Sequence, residues 1–312
     1  MPRLGILGSL VWDTIHPPGG GSEPEAVVSD WGGIAYSLAA FDAARPAGWE
    51  ALPIVKVGSD LRGAADEFLA GLPSVGSLDA VLTVPEPNNR VELFYGDRAR
   101  RCERLTGGVP GWSWPELAGP ALSCDALYVN LVAGWEVELE TARVLRAAFP
   151  GSIYCDVHSL PLAVGEDGVR TLRPVPEWPG WRGCFDAVQM NEEELRTIAD
   201  ASGDPDAEAR RTVREGPATL FVTKGAAGAA WYHRTGGGVR FGTAPGIPVE
   251  VPDPTGCGDV WGTVCAASLL AGSEPADAAS RANRYAARAA VHRGTDGLAA
   301  ALVHDELPGD VA

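Results

Sequence analysis

Short apolar runs alternate with segments of helical periodicity along this chain. The apolar runs end in small or polar residues, as buried parallel strands do. They lie at 4–7, 126–129 and 220–223, and the helical candidates lie at 36–44, 139–148 and 192–201. Strand and helix in alternation predict a layered α/β fold with a mainly parallel sheet, in which ligands gather at the carboxyl ends of the strands.

One region departs from this alternation. Residues 80–84 and 90–95 are strand-like, and a stretch at 85–89 that is rich in proline and asparagine separates them. This pattern predicts a hairpin. The segment after Leu10 can supply neighbouring extended pieces, so we expect a small β element to project from the main body.

The stretch from Asp253 to Asp259 places two glycines where a helix begins. Apolar positions at 260, 261, 264, 267 and 270 continue from it at roughly helical spacing. The first N–H groups of a helix have no intrahelical partner and the helix dipole adds positive charge, so this helix start suits phosphate oxygens. Asp259 either accepts a proton from an attacking alcohol or only complements the helix dipole.

The composition narrows the classes of partner. With 312 residues, of which 46% are hydrophobic, the chain is long enough for a sizeable core. Its net charge of −16 argues against nucleic acid or an anionic membrane surface as the main partner. The six cysteines show no zinc-finger spacing, and the N-terminus lacks a basic segment followed by a long apolar one. We therefore expect reduced thiols and a cytoplasmic location.

The most recognisable alternative motifs are missing from the sequence. It contains no G-x-x-x-x-G-K-[ST], no G-x-S-x-G and no H-E-x-x-H, and Trp261 stands where a dinucleotide fingerprint needs its third glycine. Transfer of a phosphoryl group to an alcohol fits what remains, because this reaction depends chiefly on positioning and electrostatic stabilisation.

Residues 253–259 resemble the C-terminal signature of the PfkB, or ribokinase-like, family of sugar and nucleoside kinases, which is close to D-T-x-G-A-G-D. Pro254 takes the place of the usual threonine and Cys257 that of the common alanine. The resemblance implies that Asp259 is the catalytic base. It also implies that the backbone N–H groups of Gly256, Cys257 and Gly258 form the anion hole.

Further family motifs follow in the expected order along nearly the whole chain. They lie at 8–13, 31–33, 57–63, 191–194 and 222–228, and Asn283 falls in a C-terminal helix that borders adenine in the family. The order and spacing of these motifs identify the chain as a member of the family. The implied substrate-binding residues are Asp13, Gly32 and Gly33, the metal-organising residues are Asn191 and Glu194, and the nucleotide-binding residues are Thr223, Gly225, Gly228 and Asn283.

Each of these assignments has an ordinary structural alternative. Asp13 can belong to a turn or cap, Glu194 to an acidic first helical turn, and Asn283 to a solvated helix face. His158 replaces the asparagine of the family's D-x-N, and it is either a ligand-binding or a structural histidine. The Cys257 thiol is either sensitised by the helix start or simply a small residue in the alanine position. The side chain of Lys224 either approaches an ATP phosphate or is exposed to solvent.

The resemblance implies a ribokinase-like three-layer α/β/α sandwich with a mainly parallel central sheet. It further implies one kinase domain over 1–312, with a small β lid formed approximately by 11–31 and 80–106. The expected activity is ATP-dependent phosphoryl transfer to a hydroxyl of a small sugar or polyol, with a nucleoside as the alternative acceptor. ATP and Mg²⁺ are the implied cofactors, a monovalent cation is a further candidate, and the lid is a candidate surface for a homodimer. The hypothesis of a noncatalytic regulator with this fold is disfavoured by Asp259 and its neighbouring glycines.

Overall fold

The computed structural model describes residues 1–16, 27–95, 101–199 and 203–304. Its strands are β1 (Arg3–Leu7), β2 (Leu10–His16), β3 (Val28–Gly33), β4 (Glu50–Gly58), β5 (Val81–Val84), β6 (Arg90–Tyr95), β7 (Arg101–Thr106), β8 (Ala126–Asn130), β9 (Ser152–Asp156), β10 (Leu162–Val164), β11 (Arg170–Leu172), β12 (Ala187–Asn191), β13 (Thr219–Thr223), β14 (Gly228–Thr235) and β15 (Gly238–Pro245). Its helices are α1 (Ile34–Ala44), α2 (Arg62–Ala70), α3 (Trp114–Leu122), α4 (Leu139–Ala148), α5 (Trp178–Trp181), α6 (Glu192–Ala199), α7 (Pro205–Glu215), α8 (Cys257–Leu270), α9 (Pro275–Val291) and α10 (Leu298–His304).

Nine of the described strands form the central sheet, in the order β15-β14-β13-β12-β9-β8-β1-β4-β5. Every neighbouring pair from β13 to β5 is parallel, whereas β14 and β15 add an antiparallel hairpin at one edge. The three apolar runs noted in the sequence are β1, β8 and β13 of this sheet. The expected mainly parallel sheet is therefore confirmed.

Helices cover both faces of this sheet, because successive side chains of a buried strand point to opposite sides. On β8, Tyr128 belongs to the core shared with α1, α8 and α9. Its neighbours Leu127 and Val129 belong to the core shared with α3, α4, α6 and α7. The fold is thus the three-layer α/β/α sandwich that the sequence predicted.

A second sheet of four strands stands apart, in the order β3-β2-β6-β7. Strand β2 pairs antiparallel with β3 and parallel with β6, and β6 forms a hairpin with β7. The extended pieces after Leu10 therefore do join a small sheet. Residues 17–26 and 96–100 of the expected lid lie outside the described residues.

The hairpin predicted from residues 80–84 and 90–95 is wrong. Strand β5 instead pairs in parallel with β4 and forms an edge of the central sheet, while β6 belongs to the small sheet. The segment between them crosses from one sheet to the other and is fixed by the buried side chain of Asn88. Its Oδ1 accepts a hydrogen bond from the Gly58 backbone (3.0 Å), and its Nδ2 donates to the Leu10 carbonyl (3.0 Å).

Candidate active site

A cavity of about 780 Å³ opens between the small sheet, the carboxyl ends of the central strands and the start of α8. Strand β2 contributes Asp13, β9 contributes Asp156, and β12 and β13 contribute Asn191 and Thr223. Asp259 joins them from the first turn of α8. The carboxyl ends of parallel strands thus meet a helix N-terminus here, as expected for a ligand site in an α/β fold.

The start of α8 holds Asp259 in a fixed orientation. Asp259 is 5% exposed, and its Oδ1 accepts a hydrogen bond of 2.6 Å from Nδ2 of Asn130 at the end of β8. An amide that donates to this oxygen leaves other lone pairs of the carboxylate for a further partner. The arrangement can present the carboxylate to a hydroxyl group in the cavity.

Gly256 precedes α8 with a left-handed backbone, at a φ of 76°. A Cβ at this position would lie 2.2 Å from Cδ1 of Tyr36, whereas a Cβ at Gly258 would meet nothing within 4 Å. Gly256 is therefore required by both its backbone and its close contact with an aromatic ring. Gly258 leaves open space beside the first N–H groups of the helix, where an anion can approach closely.

Cys257 lies between these glycines. Burial, followed by the nearby carboxylates of Asp253 and Asp259, raises the pKa of its thiol to about 12. The helix start does not overcome these effects, so the thiol stays protonated at neutral pH. This favours the interpretation of Cys257 as a small residue in the alanine position.

Asp13 and the diglycine at 32–33 lie next to each other where β2 pairs with β3. A Cβ at Gly32 would lie 2.0 Å from Oδ2 of Asp13, and one at Gly33 would lie 2.4 Å from the Ser9 carbonyl. Gly33 has a φ of 59° and directly precedes α1. The glycines thus make room for the Asp13 carboxylate, which is 6% exposed and lines the cavity together with Gly33.

Tyr36 of α1 lines the cavity. Burial raises the pKa of its phenol well above the ordinary value, and the charges of Asp13, Asp253, Asp30 and Asp259 raise it further. Tyr36 therefore stays protonated and can donate a hydrogen bond.

Asn191 and Glu194 form a reciprocal cap at the start of α6. The Asn191 Oδ1 accepts from the backbone N–H groups of Glu193 and Glu194, both at 2.9 Å, and the Glu194 carboxylate accepts from the Asn191 backbone at 2.8 Å. This is the geometry of a capping box, so the pair has a structural role in addition to any ligand role.

The carboxyl group of Glu194 also has a raised pKa. Removal from water raises the pKa of its carboxyl to about 8, and the charges of Glu193 and Asp259 contribute. Both Asn191 and Glu194 line the cavity. Oxygen ligands in a strongly acidic setting fit a magnesium ion that accompanies nucleotide phosphates.

His158 lies beside Asp259, with its Nδ1 3.9 Å from Asp259 Oδ1. It has a left-handed φ of 44° and lines the cavity. The neighbouring Asp156 is fully buried, and burial together with the charges of Asp259 and Glu194 raises the pKa of its carboxyl. Gln189 Nε2 donates to Asp156 Oδ2 (3.2 Å) and to the Gly258 carbonyl (3.0 Å).

The expected nucleotide-binding residues do not all lie together. Thr223 lines the cavity, but Gly225 and Gly228 lie at the β13–β14 turn and are not among its described lining residues. Their φ values of 54° and 91° fit that turn. Nearby, Lys224 is 3.7 Å from a carboxylate oxygen of Glu192.

Asn283, which was predicted to border adenine, uses its side-chain amide in contacts within the fold. Its Oδ1 accepts a hydrogen bond of 2.7 Å from the Trp261 indole, and its Nδ2 donates to the carbonyls of Ala244 (3.0 Å) and Pro245 (2.8 Å). The side chain is 6% exposed and is not among the described residues that line the cavity. Its contacts give it the role of joining α9 to α8 and to the end of β15.

Several residues that complete the site carry little signal in the sequence. Tyr36, Asn130 and Gln189 act through contacts with residues far away in the chain. Arg170 and Glu103 line the cavity as a pair (3.3 Å), with 3% of the Arg170 side chain exposed, and join the β10–β11 hairpin to the small sheet. Each follows an ordinary helix or strand pattern, and only the fold brings it to the site.

Comparison with known proteins agrees with this architecture. Residues 176–300 match the family model described as pfkB family carbohydrate kinase. A search of curated protein sequences found no significant match. Among solved structures, the fold is similar to that of a nucleoside kinase of Burkholderia thailandensis in complex with inosine, with a TM-score of 0.73 and 20% identity over 95% of this chain and 94% of that one.

Two sugar kinases show the same likeness. One is Arabidopsis thaliana ribokinase complexed with ribose and ATP, with a TM-score of 0.71 and 17% identity over 98% of this chain and 99% of that one. The other is fructokinase from Xylella fastidiosa with bound ATP, with a TM-score of 0.72 and 16% identity over 96% of this chain and 98% of that one. The C-terminal part of the chain thus matches the pfkB family model, and the whole chain shares the ribokinase-like fold of these structures.

Membrane insertion by a helix finds no support in the part of the chain that the structure describes. None of the helices there combines the length and the apolar character that are needed to cross a bilayer.

Proposed function

We propose that this protein is an ATP-dependent kinase that phosphorylates a hydroxyl group of a small sugar or polyol, with Asp259 as the general base. The observation that carries this proposal is the buried carboxylate of Asp259 at the glycine-rich start of α8, facing the same cavity as Asp13. A fixed base and a set of backbone N–H groups are the two devices that phosphoryl transfer to an alcohol needs.

In this proposal the acceptor lies between Asp13 and the Gly32-Gly33 backbone. The two carboxylate oxygens of Asp13 can each accept a hydrogen bond from a hydroxyl group. Asp259 removes the proton from the attacking hydroxyl, and the N–H groups from Gly256 to Gly258 stabilise negative charge on the transferred phosphoryl group.

The described residues fit both ATP and Mg²⁺. The open space at Gly258 allows phosphate oxygens to approach the helix start, and Thr223 adds a hydroxyl to the cavity wall. Asn191 and Glu194 are the residues that would hold the magnesium ion, which neutralises phosphate charge. A requirement for a monovalent cation remains a separate part of the proposal, which a comparison of rates in potassium and sodium salts tests.

A nucleoside is the second candidate for the acceptor. It is favoured by the likeness to the kinase solved with inosine, and a ribose hydroxyl offers Asp13 the same hydrogen bonds as a free sugar does. Release of ADP should therefore be measured over panels of sugars, polyols and nucleosides. Turnover with one panel identifies the acceptor class, whereas binding without turnover in every panel would support a noncatalytic regulator and overturn the proposal.

Replacement of Asp259 tests the assignment of the base. The Asp259→Asn side chain keeps the size of the original and can still accept the hydrogen bond from Asn130. We expect kcat to fall by about 10²–10⁴-fold, the usual contribution of a general base. ATP affinity, measured by calorimetry, and the melting temperature should stay near those of the wild type. A variant with near-normal turnover would exclude Asp259 as the base.

The small sheet is proposed to act as the lid of a single kinase domain. Its strand β2 carries Asp13, and its strand β7 carries Glu103, so its inner face covers the cavity. Exclusion of water by a lid strengthens electrostatic interactions and protects ATP from hydrolysis. We also propose that the outer face of this sheet forms a homodimer.

A further inference from the structure

We propose that Asp156, His158 and Asp259 bind one divalent first-row transition-metal ion, with Zn²⁺ as the strongest candidate, in the nucleotide-free protein. Each residue offers one ligand atom, and the three atoms lie within 4.8 Å of one another. With bonds of about 2.1 Å, two ligand atoms of one ion lie at most about 4.2 Å apart. His158 Nδ1 and Asp259 Oδ1 already meet this limit at 3.9 Å, so a small contraction completes the set.

Two amides hold the carboxylates of this cluster in place. Asn130 Nδ2 donates to Asp259 Oδ1 (2.6 Å), and Gln189 Nε2 donates to Asp156 Oδ2 (3.2 Å). A carboxylate has two oxygens and about four lone-pair sites, so each can keep its amide contact and still bind an ion. Outer hydrogen bonds of this kind orient the ligands in known metal sites.

A second observation beside the cluster also points to a ligand. Asn130 is fully buried, yet its Oδ1 has no hydrogen-bond partner among the described residues. A buried amide oxygen without a donor carries a free-energy cost. Because the same amide touches Asp259, a water molecule bound to an ion there would offer that oxygen a donor.

The ligand types select the class of ion. One imidazole and two carboxylates suit Zn²⁺, Co²⁺ or Mn²⁺, whereas Mg²⁺ prefers oxygen ligands throughout. His158 is the one non-glycine residue of the described chain with a left-handed φ, 44°, a conformation that is uncommon for a residue with a side chain. The cavity of about 780 Å³ leaves room for water ligands and for entry of the ion. The proposed site is therefore distinct from the magnesium site at Asn191 and Glu194.

An ion in this position would occupy a lone pair of Asp259. If Asp259 is the base of the proposed kinase, ion binding and proton transfer exclude each other, and the ion is an inhibitor. This consequence rests on the proposed function, but the site itself does not.

Binding can be measured without any enzyme assay. The full-length chain, stripped of metals with a chelator and free of nucleotide, is titrated with Zn²⁺ by calorimetry and with Co²⁺ by visible absorption. We expect one ion per chain, and we expect His158→Asn and Asp156→Asn each to weaken Zn²⁺ binding by more than about 100-fold, beyond the usual effect of losing an outer partner. An excess of Mg²⁺ should not displace the ion.

Two variants serve as controls. His304→Asn changes an exposed histidine at the end of α10, and Cys257→Ala removes a thiol two residues before Asp259; both should bind Zn²⁺ as the wild type does. Melting temperatures establish that each variant is folded. The proposal is overturned if the wild type binds no ion, if His158→Asn binds as tightly as the wild type, or if Cys257→Ala abolishes binding.

Discussion

At the scale of single residues, the two glycines that flank Cys257 differ in whether their positions can accept a side chain. Gly256→Ala forces a left-handed alanine into the ring of Tyr36, 2.2 Å from its Cβ. We expect a loss of roughly 2–5 kcal/mol in the free energy of unfolding, from backbone strain and overpacking. Gly258→Ala is the matched control, since its Cβ meets nothing within 4 Å, and its stability in urea should equal or slightly exceed that of the wild type.

Gly258→Ala also tests the anion hole. Its methyl group enters the open space that phosphate oxygens occupy in the proposed function. We expect kcat/KM for ATP to fall by at least about tenfold. Complete removal of one such N–H donor costs roughly 10²–10³-fold, so the effect of the added methyl group is expected to be smaller. A folded Gly258→Ala variant with unchanged kcat/KM would show that phosphate does not approach this helix start.

The raised pKa of Glu194 predicts that the stability of the protein depends on pH in a specific way. Its pKa is about 8 in the folded chain and 4.5 ordinarily. The stability that its protonated form contributes is complete below about pH 4.5 and is lost as the pH rises through about 8. The melting temperature of the wild type should therefore fall more between about pH 5 and pH 9 than that of Glu194→Gln, which retains a capping acceptor. Glu192→Gln is a control in the same turn, and parallel curves for wild type and Glu194→Gln would refute the shift.

The sequence predicts these residues only where the chemistry is local. Residues 253–259 indicate a helix start for phosphate, because glycines and a carboxylate lie next to one another in the chain. Tyr36 carries no such signal, since its contact with Gly256 joins positions that only the folded core brings together. The contacts of Asn283 carry no such signal either, since its partners Trp261 and Pro245 lie in other elements.

At the scale of elements, the crossing from β5 to β6 depends on Asn88. Asn88→Ala leaves the Gly58 N–H and the Leu10 carbonyl without partners, each at a cost of roughly 1–3 kcal/mol. We expect a loss of more than about 2 kcal/mol in the free energy of unfolding, measured in urea. Glu86→Ala, at an exposed position of the same segment, should change it by no more than about 0.5 kcal/mol. Equal stability of the two variants would show that Asn88 does not hold the crossing.

This crossing also explains why the sequence predicted the wrong hairpin. Residues 80–84 are strand-like, and proline-rich residues follow at once. Local pattern gives the strand but not its partner, because β4 of the central sheet offers the same backbone hydrogen bonds as a hairpin neighbour would. The mainly parallel character of the sheet was predictable from the sequence. The strand that lies at its edge was not, because that placement depends on long-range contacts such as those of Asn88.

At the scale of the whole molecule, the net charge of −16 works against binding of an anionic nucleotide. The cavity is itself acidic, since it is lined by the carboxyl groups of Asp13, Asp156, Glu194 and Asp259. Arg170 lines it as well, but its guanidinium pairs with Glu103. In the proposed function, attraction for phosphate therefore comes from the helix start and from a bound cation, and the acidic residues and the glycines act in one site.

The proposed homodimer makes a prediction about the outer face of the lid. Phe94 is 38% exposed there, and its ring stacks on His16 with 4.4 Å between centroids. Burial of such an aromatic side chain in an interface is worth several kcal/mol, and a charge in its place opposes association. Sedimentation of the wild type should give a dimer and that of Phe94→Glu a monomer. Phe241→Glu, which changes a phenylalanine that is 47% exposed on β15, should leave the dimer intact. A monomeric wild type, or a dimer that survives Phe94→Glu, would exclude association through this face.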